Sequence, residues 1–376
     1  MVTSPDMTLQ HTRWLALLLV LPFEPLLAGP PHHGRQFVGL EDFSGFTKSA
    51  GESTNETVFV SPEIISDVKW DELIVSWNAE TAGGADLRIE ARAIHPGHPT
   101  RFYTMGIWSD DLENHRRRSV NGQSDGDGEV LTDTLRLKSP CERVQIKLVV
   151  DARGAASRPP VKFLGLCFSD TRRDPPTLPP NRAAWGKIIT VPQRSQLDYP
   201  EGEQSWCSPT ATSMILAYWA GKLNRPELNR SVPQVAAEVF DPNWPGTGNW
   251  PFNTAYAGSF PGMRACVSRF SDVSELEDWI TSDLPVALSV ANSILKGSPP
   301  REGPDGHIVV CVGFTNEGDV VVNDPGTRQQ IRRVFPRENL VKAWAHSHNT
   351  VYLIHPEGAD TPKDRFGHWT SEKMKQ

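Results

Sequence analysis

Residues 204–214 read QSWCSPTATSM, and they place a single cysteine, Cys207, directly before a helical pattern over residues 209–220. Pro209 falls in the first helical turn, where the N–H that proline lacks would have no partner, and Gly221 follows as a stop signal. A helix N-terminus offers unpaired N–H groups and partial positive charge, and both favour the thiolate, the nucleophilic form of cysteine. Cys207 is therefore a candidate nucleophile. The alternative is a structural cysteine packed against the helix.

Two further polar residues stand at the ends of predicted strands. His307 opens a strand over residues 307–314, where an imidazole could accept the thiol proton and later donate a proton to a leaving amine. Asp324 follows a strand over residues 320–323 and could hold the imidazole tautomer, as the third member of a triad does. Taken alone, His307 is a strand-end cap and Asp324 a turn former before Pro325 and Gly326. With Cys207 they predict a Cys–His–Asp triad.

The spacing of these two strands raises a geometric condition. A four-residue turn at residues 316–319 would place Cys311 opposite Asp324, with His307 four residues further along. At about 3.3 Å per residue that separation is roughly 13 Å, which is too long for a hydrogen bond. A β-bulge or a shifted turn must therefore close the gap if Asp324 is the third member.

The elements around this triad predict an α+β arrangement. Helical patterns at 209–220, 232–240 and 274–280 precede strand patterns at 285–290, 307–314, 320–323 and 350–354. Residues 30–170 instead carry only strand patterns, which predict a β-sandwich accessory domain; they lie at residues 72–77, 87–93, 102–108, 131–137, 144–150 and 161–168. Residues 171–186, TRRDPPTLPPNRAAWG, have the composition of a Pro-rich linker.

Composition limits the class of protein. The chain has 376 residues, of which 38% are hydrophobic, and it carries a formal net charge of −7, so packed cores are expected and a nucleic-acid partner is not. Residues 14–27 are apolar but interrupted by prolines and a glutamate, which is too short for a membrane span. This stretch predicts a signal peptide over residues 1–28 and a secreted or cell-wall-associated protein; the alternative is a buried N-terminal strand.

Five cysteines form an odd set for a secreted chain. An even division by position predicts disulfides Cys141–Cys167 and Cys266–Cys311, which leaves Cys207 as the free thiol. The spacing does not prove either bridge, and five reduced cysteines are the alternative.

Residues 187–355 resemble the papain-like bacteriocin-processing cysteine peptidases, the C39 family and its C39-like relatives. The segments that carry the resemblance are VPQRSQ at 191–196, CSPTA at 207–211, GH at 306–307 and NDP at 323–325. The resemblance implies a papain-like peptidase domain over residues 187–357 and catalysis with no metal or organic cofactor. Residues 358–376 are expected to form a polar tail. It places the nucleophile on Cys207, the base on His307 and the orienting acid on Asp324. An upstream glutamine helps to form the oxyanion hole in that family, which indicates Gln196, with Gln204 as second choice.

The chain departs from the family after the nucleophile. The family commonly has Cys-Gly-Pro, whereas this chain has Cys207-Ser208-Pro209, so the serine side chain is expected where backbone usually meets substrate. Trp206, Ser208 and Trp250, the last in an aromatic loop, are the expected substrate contacts. A peptide or protein is the expected partner, and neither a nucleic acid nor a membrane span is expected.

Three alternatives to a peptidase stay open. The first is a catalytically inactive peptide- or cell-wall-binding protein that keeps the cleft, which Ser208 motivates. In the second, residues 30–170 bind cell wall or glycan and carry the function. The third is an amidase or acyltransferase with the same triad.

Overall fold

The computed structural model describes residue 1 and residues 34–80, 85–109, 111, 112, 117–152 and 156–371. The predicted signal peptide lies outside the described residues, apart from Met1. From Gly34 onward the described residues belong to one compact unit.

The first part of this unit is built from strands alone. Its ten strands are β1 (Arg35–Leu40), β2 (Thr47–Ala50), β3 (Glu56–Val60), β4 (Ile64–Ala79), β5 (Asp86–His95), β6 (His98–Pro99), β7 (Tyr103–Trp108), β8 (Gly128–Leu131), β9 (Thr134–Asp151) and β10 (Val161–Ser169). With a late strand, β17 (Trp369–Ser371), they form one eleven-stranded sheet. The prediction of an all-strand first region is confirmed.

The two separate sheets of a sandwich are not found among the described residues, and the prediction is corrected to one continuous sheet. The reason is the length of β4 and β9, which have 16 and 18 residues. β9 pairs with β3 and β5 over its second half and with β4 and β8 over its first half. The β4–β9 ladder shifts register on both sides of Trp70, and such irregularities bend a sheet without breaking it.

The second part mixes helices with an antiparallel sheet, as the sequence predicts. Its helices are α1 (Cys207–Leu223), α2 (Val232–Val239), α3 (Trp250–Ser259), α4 (Val273–Thr281), α5 (Asn292–Leu295) and α6 (Arg337–Ala345). Its strands are β11 (Met263–Arg269), β12 (Val286–Ala291), β13 (Gly306–Phe314), β14 (Val320–Asn323), β15 (Arg332–Phe335) and β16 (Thr350–Pro356). They are ordered β11-β16-β12-β13-β14-β15.

Helix α1 is the central helix of this part. Every residue from Ser208 to Ala220 is buried, so the helix is covered on all sides. It does not stop at Gly221 but runs to Leu223, where Asn224 adopts a left-handed conformation (φ 52°) that closes the helix.

The two parts share one hydrophobic core. The Asn78 side chain of β4 donates to the Ala265 carbonyl of β11 at 2.7 Å and accepts from its N–H at 3.1 Å. Helix α3 packs over the same point, and a Cβ on Gly258 would lie 2.1 Å from the Asn78 amide nitrogen. Only glycine permits this approach of the helix to the sheet.

The segments predicted as linker and tail make ordered contacts. Asn181 donates its N–H to Glu277 of α4, and the Trp185 indole donates to the same carboxylate, both at 2.7 Å. From the predicted tail, β17 pairs in parallel with β1.

The structure contradicts both predicted disulfides, because all five cysteines are free thiols. The Cys141 thiol donates to the Ile94 carbonyl at 3.1 Å inside the first sheet. The Cys167 thiol interacts with Ser268 and Arg269 of β11 instead. The alternative of five reduced cysteines describes the structure.

Candidate functional site

His307 and Asp324 are brought into direct contact. His307 Nε2 lies 2.7 Å from Asp324 Oδ1, and both side chains are buried. The other oxygen of the carboxylate, Oδ2, accepts from Arg333 at 3.2 Å, while Oδ1 also accepts the Gly326 N–H at 2.8 Å. The carboxylate is therefore fixed on both oxygens, and it fixes the imidazole ring.

The β13–β14 hairpin closes the gap that the sequence left open. Thr315 pairs with Asp319 across a three-residue turn, and the register then shifts between Cys311 and Gly313. Val310 consequently faces Asn323, and Asp324 comes level with Val309. Val309 is two residues from His307 along the strand, instead of the four residues expected from a simple turn, and each residue spans about 3.3 Å. The shifted turn and the β-bulge together supply the displacement that the sequence required.

A neighbouring segment accounts for the bulge. Ile188 forms an isolated bridge with Gly313, and Ile189 donates its N–H to the Val312 carbonyl at 2.7 Å. A Cβ on Gly313 would lie 2.1 Å from the Lys187 carbonyl oxygen. Because Gly313 has no side chain, the incoming backbone can reach the edge of β13.

Cys207 is the first residue of α1 and is half-buried. The His307 imidazole and the backbone N–H groups of Ser208 and Ile308 are the neighbours that favour its thiolate form and lower its pKa. Since Nε2 of His307 faces Asp324, Nδ1 is the ring atom left for the thiol. The structure thus brings Cys207, His307 and Asp324 together in the predicted order.

The electrostatics of the three groups favour an ion pair. Burial alone would raise the pKa of the Cys207 thiol, but the hydrogen bond and charge of His307 outweigh burial and lower it. Burial would lower the pKa of His307, yet its bonds to Asp324 and Cys207 raise it to about 9. For Asp324, the contact with His307 outweighs burial and lowers the pKa to about 2. Thiolate, imidazolium and carboxylate are the forms that this surrounding stabilises.

Of the two glutamines, Gln196 lies beside the triad. Its backbone N–H donates to the Pro325 carbonyl at 3.0 Å, next to Asp324 in the chain. Its amide nitrogen donates to the Glu203 carbonyl at 2.8 Å, and an amide group has a second N–H to offer. Gln204 is exposed.

The predicted substrate contacts fall in different surroundings. Trp206 is half-buried beside Cys207, and its ring packs against the Tyr199 ring with the two ring centroids 6.0 Å apart. Ser208 contradicts its prediction, because it is fully buried and its hydroxyl bonds to Tyr352 OH at 2.8 Å. The side chain points into the core rather than into the cleft. Trp250 begins α3, where its N–H donates to Asp133 of the first part at 2.9 Å.

Arg333, which bonds to the second oxygen of the Asp324 carboxylate, is a residue of the site that the sequence does not predict. Residues 241–249, here called the Asp241 loop, belong to the aromatic loop that the sequence places beside the substrate, and the Thr247 hydroxyl donates to the Ser205 carbonyl at 2.8 Å. The sequence carries no signal for Arg333, because the pairing of β14 with β15 is what brings it near. For the Asp241 loop, the aromatic and Gly-rich composition gave a partial signal.

Within the described ranges, no group of three or more His, Cys, Asp or Glu side chains is placed to hold a metal ion. No helix in that part of the chain is long and apolar enough to cross a membrane.

Known families match the two parts of the molecule separately. The model described as the Peptidase C39 like family matches residues 188–352. Residues 188–352 are a C39-like domain. The model described as the Peptidase C39 N-terminal domain matches residues 40–169, which cover the first sheet. The resemblance stated from the sequence is confirmed.

Solved structures match less closely. A candidate C39-like peptidase from Bacillus anthracis is 19% identical, covering 44% of this chain and 96% of its own, with a TM-score of 0.34. The VPA0106 protein from Vibrio parahaemolyticus is 10% identical, covering 84% of this chain and 87% of its own, with a TM-score of 0.16. No curated protein matches the chain.

Proposed function

We propose that the C39-like domain is a cysteine peptidase that hydrolyses peptide or amide bonds through an acyl-enzyme. The observation that carries the proposal is the buried His307–Asp324 pair, with Nε2 and Oδ1 2.7 Å apart, next to a Cys207 thiol whose pKa His307 lowers. Membership of residues 188–352 in a peptidase family supports a peptide as substrate. Catalysis of this kind needs no cofactor.

In the acylation step, the Cys207 thiolate attacks the carbonyl carbon and the carbonyl π electrons move to oxygen. The tetrahedral intermediate collapses as the C–N bond breaks, and the His307 imidazolium gives its proton to the leaving amine. Asp324 keeps the ring oriented and stabilises its positive charge. A thioester on Cys207 and a neutral His307 remain.

In the deacylation step, His307 acts as a general base instead of a general acid. Neutral His307 takes a proton from water, and the hydroxide equivalent attacks the thioester carbonyl. Collapse of the second intermediate breaks the C–S bond, which releases the carboxylic acid and restores the thiolate–imidazolium pair.

The two donors that we propose for the developing oxyanion are the Cys207 backbone N–H and the Gln196 side-chain amide. Cys207 is the first residue of α1, so no carbonyl of an earlier helical turn accepts its N–H. The second N–H of the Gln196 amide is the other donor. Fixed N–H groups of this kind stabilise the negative charge that appears in the transition state.

Alkylation by iodoacetamide between pH 4 and 9 tests the proposal. We expect Cys207 to react at pH values well below the ordinary thiol pKa of about 8.5, because His307 lowers its pKa. Burial raises the pKa of Cys311 to about 12, so this buried thiol serves as an internal control that stays unmodified. His307→Ala should remove the low-pH reactivity of Cys207. A Cys207 that reacts only near pH 8.5, or not at all, would refute the proposal.

The pH profile of kcat/KM for peptide hydrolysis is expected to be bell-shaped. The ion pair exists above the lowered pKa of Cys207 and below the raised pKa of His307, which is about 9. Activity should therefore rise as the thiol ionises and fall as the imidazolium loses its proton, with both limbs belonging to the coupled pair. Activity that keeps increasing beyond pH 10 would contradict this assignment.

Arg333 is proposed as a positioning residue, since it holds the Asp324 oxygen that does not contact His307. Arg333→Met should lower kcat about five- to tenfold with little change in KM, which is the effect of losing one partly exposed charged hydrogen bond. Arg333→Lys should recover most of the loss, and Lys342→Met, which removes an exposed charge on α6, should have no effect. Unchanged kcat in Arg333→Met would exclude this role.

The inactive binding protein loses the observation that motivated it, because Ser208 is buried and bonded to Tyr352. An amidase or acyltransferase would use the same triad, and analysis of the products separates these from a peptidase. Secretion after removal of residues 1–28 stays a proposal, which N-terminal sequencing of the exported protein would test.

A further inference from the structure

We propose that a groove beside Cys207 binds a large apolar side chain of the substrate, adjacent to the bond that is cleaved. The inference rests on the proposed function and adds a substrate class to it. The groove has a volume of about 370 Å³, within the usual range of ligand pockets. One end is formed by Ser205 and Trp206, the two residues that precede Cys207 in the chain.

One wall of the groove is α2 and the residue that follows it. The face of α2 toward the core carries Val232, Val235 and Val239. A second apolar stripe, Pro233, Ala237 and Phe240, follows at helical spacing and lines the groove. A helix that packs on only one side needs one apolar face, so the second stripe has no role in the core.

The apolar surface of the groove is accessible to solvent. Phe240 is 44% exposed, and Ala237 and Pro245 are exposed as well. Trp244, also 44% exposed, lies beside the groove and covers Gly246. Contiguous exposed apolar side chains usually mark a binding surface. Trp206, which also lines the groove, is the residue directly before Cys207, so an apolar occupant of the groove would lie near the residue that carries the nucleophile.

The polar groups of the groove restrict the class of occupant further. The Thr247 hydroxyl already donates its hydrogen bond to the Ser205 carbonyl at 2.8 Å. Among the described residues that line the groove, Glu201 is the one with a formal charge, and it is exposed. A carboxylate side chain would meet this like charge and an apolar wall, so the groove disfavours acidic side chains relative to apolar ones.

The wall opposite α2 is held in place from the N-terminal sheet region. Asp241, which is fully buried, accepts the Ser119 N–H at 3.1 Å. Asn243 donates to the Ser119 carbonyl at 2.8 Å, and Asn121 donates to the Asn243 carbonyl at 2.6 Å. These bonds fix the Asp241 loop before substrate arrives, which lowers the ordering cost of binding. The N-terminal region thereby shapes the groove without contributing a catalytic group.

Affinity labelling of Cys207 tests the inference without depending on turnover. The probes are chloromethyl ketones of N-acetylated dipeptides, with Leu, Phe, Ala, Asp or Lys placed in turn at each of the two positions. The measured quantity is the rate of Cys207 alkylation by each probe divided by the rate with iodoacetamide. At one position we expect Leu and Phe to exceed Ala by about tenfold or more, and Asp to be the slowest.

Two matched variants locate the preference. Ala237→Trp fills the groove from an exposed helix position, and it should reduce the advantage of Leu and Phe about tenfold while the iodoacetamide rate is unchanged. Val341→Trp makes the same change at an exposed apolar position of α6 and should alter neither rate. Equal rates for all side chains, or an apolar preference that survives Ala237→Trp, would overturn the inference.

The outcomes separate this inference from the proposed function. Failure of iodoacetamide to label Cys207 at low pH refutes the catalytic proposal itself, and the groove proposal with it. Normal labelling by iodoacetamide without an apolar preference among the dipeptide probes refutes the groove alone.

Discussion

Cys207→Ala is expected to abolish peptide hydrolysis, with kcat reduced on the order of 10⁴-fold or more to the background rate. No other described thiol can replace it, because the remaining four are buried within the two sheets. The loss should be confined to chemistry, since the half-buried side chain changes by one sulfur atom. Substrate affinity, measured by equilibrium binding of an uncleaved peptide, should stay within about threefold of the unmodified protein.

A matched thiol substitution guards against a structural explanation. Cys141→Ala removes a thiol that donates to the Ile94 carbonyl in the N-terminal sheet, away from His307. It is expected to cost some stability but to leave kcat per folded molecule unchanged. Residual turnover in Cys207→Ala that resists further purification, or an equal loss in Cys141→Ala, would assign catalysis to another group.

The site was more predictable from sequence than the sheet that supports it. Cys207 lies at the start of a helix, and His307 and Asp324 lie at the ends of strands. Each of these positions is set by neighbouring residues in the sequence, so the sequence alone predicts them. The β-bulge that makes the contact possible is not local, because it depends on Ile188 reaching Gly313 from 125 residues away in the chain. Gly313 was a partial signal, since a glycine within a strand often marks close approach of another backbone.

The error about the first region has a specific cause. Residues 131–137 and 144–150 are predicted as two separate strands, and Ser139 and Pro140 lie between them. The structure runs one strand, β9, through this point, and Cys141 pairs with Trp70 where the β4–β9 register shifts. Proline is tolerated in a sheet at such irregularities. The two predicted strands are therefore one strand, β9, and the two sheets expected for a sandwich are one continuous sheet.

Helix α3 is not predicted from the sequence, because its composition favours turns. Its sequence, WPFNTAYAGS, is rich in residues that favour turns and was interpreted as an aromatic loop. Asn249, however, caps the helix by accepting the Phe252 N–H at 3.3 Å, and Pro251 occupies the first turn. Packing against β4 then stabilises a helix that its intrinsic propensities would not.

Arg269→Met is expected to lower the free energy of unfolding at pH 7 by about 3 kcal/mol, because it leaves Glu72 buried without its main partner. Arg269 Nη2 and Glu72 Oε2 lie 2.8 Å apart, and neither side chain is more than 5% exposed. The pair joins β11 to β4 across the boundary between the two parts. Relief of the repulsion on Arg35, whose pKa burial and the Arg269 charge lower to about 10, offsets part of the cost.

Arg264→Met is the matched control, since Arg264 lies on the same strand and also reaches the first part. It pairs with Glu41 at 2.7 Å, but the two side chains are 24% and 60% exposed, so its loss should cost less than about 1 kcal/mol. Denaturant unfolding of both variants measures the difference. Equal losses in the two variants would show that burial of the Glu72 pair has no special weight.

The pH dependence of the stability loss in Arg269→Met provides a second, independent test of this prediction. Burial opposes ionisation of Glu72, but Arg269 outweighs it and holds the pKa of the carboxyl below its ordinary value of 4.5. The pair therefore stabilises the protein above the unfolded pKa, and that contribution is lost as the pH falls through the folded pKa. In Arg269→Met the buried carboxyl keeps only the partly exposed Arg136, 3.2 Å from its other oxygen, so its pKa rises and protonation relieves the poorly compensated charge. The deficit relative to the unmodified protein should therefore be largest at neutral pH and shrink toward pH 4.5, whereas a deficit caused by lost packing alone would not change with pH.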